Sequence, residues 1–143
     1  MKESMVLIVA VFVAASSVWA SLGDSSDTIE DSYGAVIQRR LRDDGTVSVI
    51  YKKDAYLYLV TFVNDRSISE SYSHVKGTGL SEKEIMRFLK ANAGGTKWIS
   101  ANTGTVRRFT RSDRKAEAIY APVNGRPALT VRELHSDHRR SDQ

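Results

Sequence analysis

The chain has 143 residues, 21 of them basic and 17 acidic, for a net charge of +4, and it contains no cysteine. That excludes disulfides, a thiol nucleophile, Cys-based zinc sites and the lipid-modified cysteine of a bacterial lipoprotein. The length allows one domain with a real core and not two ordinary ones.

Met5 to Ala15 is an unbroken apolar run behind Lys2, and Ser16-Ser17 and Val18-Trp19-Ala20 follow it. The run is shorter than the roughly 18–20 residues that span a bilayer. Val18 and Ala20 suit the pocket of a signal peptidase. The expectation is therefore a secretory signal peptide over 1–20, cleaved after Ala20, and a secreted or periplasmic mature protein with no transmembrane segment. Small animal extracellular domains usually rely on disulfides, so their absence favours a bacterial setting. Residues 21–27 read as a flexible leader, 28–133 as a single domain and 134–143 as a polar tail.

Thr28 to Tyr33 reads as a short helix, capped by Asp27 and stopped by Gly34. Asp43-Asp44-Gly45 is a hairpin turn, and Val47, Val49 and Tyr51 share one face of the strand after it. Tyr56 to Val63 is apolar on both faces, which predicts a central strand covered on both sides. Ser67 to Val75 carries serine at every second position as far as Ser73 and reads as an outer strand with one solvated face.

Ser81 with Glu84 forms a capping box. Ile85, Phe88, Leu89 and Asn92 then share a helical face, Met86 lies at its edge, and Gly94-Gly95 closes the helix. Further strands are expected around Trp98-Ile99, Arg107 to Arg111, Lys115 to Tyr120 and Ala128 to Arg132. Ser112-Asp113-Arg114 and Asn124-Gly125 are the turns between the last three. The expected fold class is α+β: an antiparallel sheet of hairpins, a short N-terminal helix and one well-capped helix packed on the sheet. Each half is a helix followed by a meander, which raises the suspicion of a duplication.

The densest charge lies at Arg107, Arg108, Arg111, Asp113, Arg114 and Lys115. Such a patch suits an acidic protein or an anionic envelope component; equally, arginines guard sheet edges against pairing with other sheets. No aromatic platform stands beside it, so nucleic acid is not the expected partner. Trp98 and Tyr120, with Phe109, either line a groove or fill the core, the commoner fate of aromatics in a small sheet. His135 and His138 lack a neighbouring carboxylate cluster, so no metal is expected, and no cofactor loop is present. His74 sits on the serine-rich strand without a nucleophile elbow, so no catalytic residue is assigned.

Arg39-Arg40-Leu41-Arg42, followed by Asp43-Asp44, resembles the R-x-L-R host-targeting motif of secreted plant-pathogen effectors, although those domains tend to be helical. A broader likeness runs from Tyr33 to Arg132. Tyr33-Gly34, Tyr51-Lys52-Lys53, Tyr56 to Asn64, Leu80-Ser81 with Glu84-Ile85, Phe88-Leu89-Lys90-Ala91-Asn92 and Trp98 carry its first part. Thr110-Arg111-Ser112-Asp113, Lys115-Ala116-Glu117-Ala118 and Leu129-Thr130-Val131 carry the rest. In that order they resemble a group of small exported bacterial proteins of uncharacterised function. The pattern has glycine after Ser112-Asp113, where Arg114 stands here.

The first half is also distantly similar to the helix-then-meander domains of outer-membrane-assembly lipoproteins and β-lactamase-inhibitor proteins. Those domains bind other proteins. The expectation is thus an exported, non-catalytic, protein-binding or accessory domain. The alternatives are a host-directed effector and a small extracytoplasmic hydrolase.

Overall fold

A computed structural model describes residues 21–101, 104 and 106–135; the expected signal peptide, His138 and most of the polar tail lie outside the described residues. The elements are α1 (Ser26–Tyr33), β1 (Ala35–Leu41), β2 (Val47–Lys53), β3 (Tyr56–Val63), β4 (Arg66–His74), α2 (Glu82–Ala91), β5 (Trp98–Ser100), β6 (Arg107–Arg111), β7 (Ala116–Val123) and β8 (Arg126–Glu133). All eight strands form one sheet in the order β1-β2-β3-β4-β8-β7-β6-β5, and every pairing is antiparallel.

This corrects the expected α+β class. Strands hold 50% of the structure and helices 16%, so the fold is predominantly β. The helices are only 8 and 10 residues long and serve as a partial cover on a continuous sheet. The strand order mirrors itself about the β4–β8 seam, with a helix and a four-strand meander on each side. The suspected duplication therefore has a counterpart in the topology.

Both helices lie on one face. Tyr33 of α1 stacks on Tyr58 of β3 at 4.0 Å between ring centroids, and Phe88 of α2 stacks on Tyr72 of β4 at 4.2 Å. Ile29, Ile85 and Leu89 complete the helical side of the core against Val49, Val60 and Val131. The capping box forms as expected: Ser81 Oγ accepts from the Glu84 N–H, and the Glu84 carboxylate accepts from the Ser81 N–H. The first helix starts earlier than expected. Its cap is Ser25, whose hydroxyl accepts from the Thr28 N–H.

The segment expected to be a flexible leader is tied to the sheet. Gly23 and Ser67 exchange backbone hydrogen bonds with the β4 entrance and Asp24, and the Leu22 N–H donates to Asn92 Oδ1 at 3.0 Å. The serine-rich strand is also not an outer one, because β4 pairs with β3 on one side and β8 on the other. A bulge opposite Thr61/Phe62 turns Ser67 toward the helices, where it is fully buried, and turns Ser71 and Ser73 to the opposite face.

Two hairpins close with mirror-image turns, whose backbone twist matches that of the strands. Asn64-Asp65 (φ 50° and 57°) joins β3 to β4, and Asn124-Gly125 (φ 51° and 78°) joins β7 to β8. At the β6–β7 turn Arg114 adopts φ 59°, the conformation that favours glycine. Arg114→Gly is expected to stabilise the protein by about 0.5–1 kcal/mol, the left-handed cost removed less the entropy glycine adds to the unfolded chain. A shift of the urea midpoint to higher concentration at unchanged slope checks this.

Candidate functional site

The arginine-rich hairpin is divided between the two faces of the sheet. Arg107 and Arg111 point to the helical side. Arg107 forks onto the Glu82 carboxylate with contacts of 2.6 and 2.8 Å, and its guanidinium stands 5.3 Å from the centre of the Phe109 ring. Arg111 donates through Nε to Asp113 at 2.9 Å and through Nη1 to the Asn92 carbonyl at 3.0 Å. Asp113 also accepts from the Lys115 N–H, so its carboxylate builds the turn, and Arg111 holds its pKa below the usual carboxylate range. Arg108, Arg114 and Lys115 are exposed. Three of the five cations thus remain on the surface, while the other two hold α2 and the turn.

Trp98 and Tyr120 also have structural partners. The indole N–H of Trp98 donates to the Leu89 carbonyl at 2.6 Å, closing the α2 C-terminus onto β5. The Tyr120 hydroxyl accepts from the Leu80 N–H at 2.9 Å. Both rings pack against the core while staying half-buried. Trp98 additionally lines a shallow groove beside α2 with Lys83, Met86, Lys90 and Lys97. Arg39, Arg40 and Leu41 of the R-x-L-R motif occupy the end of edge strand β1, all exposed, and Arg42 opens the turn.

Two polar clusters escaped the sequence analysis. Beneath the helices, Glu70 is fully buried; its Oε2 accepts from Tyr33 at 3.2 Å and from Tyr72 at 2.5 Å, while Oε1 has no partner. Burial pushes its pKa up to about 7 against the two phenolic hydrogen bonds that lower it. At the α2 entrance, the Glu84 carboxylate meets Tyr56, His74 and the Ser81 N–H. Burial raises this carboxyl, but those hydrogen bonds together hold it at about 2. The cluster contains an acid, an imidazole and the Ser81 hydroxyl, and that hydroxyl is engaged in the helix cap, where it accepts from the Glu84 N–H at 3.1 Å. Among the described residues no three of His, Asp and Glu gather as metal ligands do.

A further unassigned feature is the face of the sheet that carries no helix. The expectation that β3 is covered on both sides fails here: Leu57 and Leu59 look away from both helices, paired across the ladders with Ser73, Ser71 and Ile50. The face is concave enough to leave Ser48, Ser71 and Ser73 no more than 9% exposed. Two hollows open on it. One, of about 140 Å³, is lined by Ile50, Leu57, Leu59, Val123, Asn124 and Ala128, with Ser71, Ser73 and Arg126. The other, of about 220 Å³, is lined by Gln38, Arg40, Arg42, Ser48, Ile50, Leu59 and Asn124.

Ile50, Leu59 and Asn124 belong to both hollows, so the two form one trough. Asn124 reaches it from the tip of the β7–β8 hairpin, which Arg126 anchors by donating to the His74 and Val75 carbonyls. The signal in the sequence was the two-sided apolar pattern of Tyr56 to Val63, which leaves a second apolar face in need of cover.

No family model matches the chain, and no curated protein matches it. Among solved structures it is similar to a cysteine-rich secretory protein from Staphylococcus aureus subsp. aureus Mu50, with a TM-score of 0.44 and 14% identity over 80% of this chain and 44% of that one. The chain spans less than half the length of that protein, and the likeness is too loose to bear on function. No helix of the described residues is long and apolar enough to cross a membrane.

Proposed function

We propose that this chain is an exported, non-catalytic binding module that holds a protein ligand on the uncovered face of its sheet. The observation that carries this reading is the trough. A row of aliphatic side chains lies in the open, half-buried between hydroxyl and cationic side chains, on a face that no part of the described chain covers. Concave surfaces with an apolar floor and a few placed polar groups are the usual form of a binding site. The signal-peptide reading of residues 1–20 supports export, and the distant likeness to protein-binding helix-then-meander domains agrees with a protein ligand. Glu70 is shut away beneath the helices and the Glu84 carboxylate is occupied by its hydrogen bonds, which suits structural roles better than catalysis.

The test is affinity capture from the cell envelope and culture medium with residues 21–143 as bait. Arg40→Glu changes an exposed side chain at the trough and should leave folding intact. A second variant, Arg108→Glu/Arg114→Glu/Lys115→Glu, reverses the exposed hairpin cations and spares the structural Arg107 and Arg111. A ligand lost by Arg40→Glu and kept by the triple variant supports the trough. The opposite pattern moves the contact surface to the hairpin, and equal capture by both variants overturns both surfaces.

A further inference from the structure

The two halves of the trough differ in chemistry. The larger hollow offers the guanidinium groups of Arg40 and Arg42, the amides of Gln38 and Asn124 and the hydroxyl of Ser48, and no carboxylate lines it. Of the two acids in the neighbouring turn, Asp44 is already taken by the Thr46 N–H and hydroxyl, at 3.0 and 2.7 Å. Ser48 is a second, independent sign of a ligand. It sits directly across the ladder from Arg40, its residue is only 9% exposed, and its Oγ is buried without a hydrogen-bond partner. A buried hydroxyl left unpaired is costly, and a bound ligand oxygen would relieve it.

The smaller hollow continues from this cationic end along Ile50 and Leu59 and is floored by aliphatic carbon from Leu57, Val123 and Ala128. No aromatic ring lines either hollow, which removes the stacking platform that nucleobases use. At about 30 Å³ for each water-sized group, the apolar hollow takes roughly four or five carbons.

We propose that the trough binds a carboxylate joined to a short aliphatic chain. The head is held by Arg40, Arg42 and Ser48, and the chain lies along Ile50, Leu57 and Leu59. Arginine forks match carboxylates with two parallel hydrogen bonds, so the cationic end selects this head group over a neutral one. Two sources share the chemistry: the C-terminal aliphatic residue of a polypeptide and a free short-chain fatty acid. The proposal rests on the uncovered face being the binding surface, and it adds the class of group recognised there.

The probes are N-acetyl-Val-Leu as free acid, the same dipeptide as its C-terminal amide, hexanoate and hexanol, each titrated into isotope-labelled residues 21–143 and followed by amide chemical shifts. Saturable shifts confined to the strands around residues 38–59 and to 123–128 are expected for the acids. The amide and the alcohol should bind roughly tenfold more weakly, the loss of one charge-assisted head contact. Arg40→Gln/Arg42→Gln should weaken the acids by a similar factor and leave the neutral probes unchanged. Dipeptide acid binding tighter than hexanoate points to a polypeptide terminus, and the reverse points to a free fatty acid.

Acid and neutral probes of equal affinity would overturn the carboxylate head while leaving the trough a binding surface. Shifts outside the trough, or none with any probe at millimolar concentration, would overturn the proposal. The trough as a protein-binding face then stands or falls by the Arg40→Glu capture result.

Discussion

Glu70→Gln is expected to stabilise the protein at pH 8 by about 2–3 kcal/mol and to remove most of the pH dependence of stability between pH 5 and 8. The reason lies in where the side chain sits. Val131 stands across the ladder from Glu70, Tyr33 of α1 and Tyr72 of its own strand donate to Oε2, and Asp24 adds a negative charge from the leader. No cation is among the groups acting on it, so burial dominates and the folded-state pKa rises from the ordinary 4.5 to about 7.

Since the folded state holds this proton more tightly than the unfolded state, the stabilisation is complete below pH 4.5 and is lost as pH rises through 7. Gln keeps an acceptor for the two phenols and carries no charge at any pH. The amide nitrogen takes the place of Oε1, which has no partner, and leaving that group unpaired takes about 1 kcal/mol from the gain. Urea unfolding of both proteins at pH 5 and pH 8 is the measurement, and the difference between them subtracts every titrating group except this one. A parent protein equally stable at the two pH values would show that Glu70 keeps an ordinary pKa.

Glu70 also shows where sequence reading stops. Local signals were legible: the Ser81/Glu84 box, the Ile85-Phe88-Leu89 face, and the Asn124-Gly125 turn each act within a few residues, and each is in place. What failed depends on distant partners. β1 shows no alternation because all seven of its residues are exposed at the sheet edge, so only the hairpin turn after it hinted at a strand. The serines of β4 looked solvated, but a bulge and the concave face bury Ser67, Ser71 and Ser73.

The fold class erred because no periodicity reveals that two meanders join through β4 and β8. The arginine hairpin was visible as charge. That Arg107 belongs to Glu82 and Arg111 to the Asn92 carbonyl follows only from how α2 crosses the sheet. The trough stayed hidden because Ser48 and Asn124, far apart in the chain, line one hollow only in the folded sheet.

Asn92 is the second case with a large expected effect. The sequence placed it on the apolar face of α2, and the structure shows why a polar residue belongs there. It caps the helix, is 1% exposed, and joins three elements. Nδ2 donates to the Tyr72 hydroxyl at 2.8 Å and to the Phe88 carbonyl at 3.1 Å, while Oδ1 accepts from the Leu22 N–H at 3.0 Å.

Asn92→Ala deletes all three contacts and leaves the Leu22 N–H without its acceptor, for an expected loss of about 3 kcal/mol. Asn92→Asp separates the contributions. It keeps an acceptor for Leu22 but places a carboxylate beside Tyr72 and near Glu70, so stability should fall at least as far as in the alanine variant. Hydrogen exchange at the Leu22 amide reads the other half: fast in Asn92→Ala, and still slow in Asn92→Asp under conditions where both remain folded. The Gly23 amide, bonded to the Ser67 carbonyl at 2.8 Å, is the internal control and should stay protected in both. If Leu22 exchanges equally in the two variants, Asn92 does not hold this segment, and the bonds of Ser21, Gly23 and Asp24 to the backbone and hydroxyl of Ser67 fix it to the sheet instead.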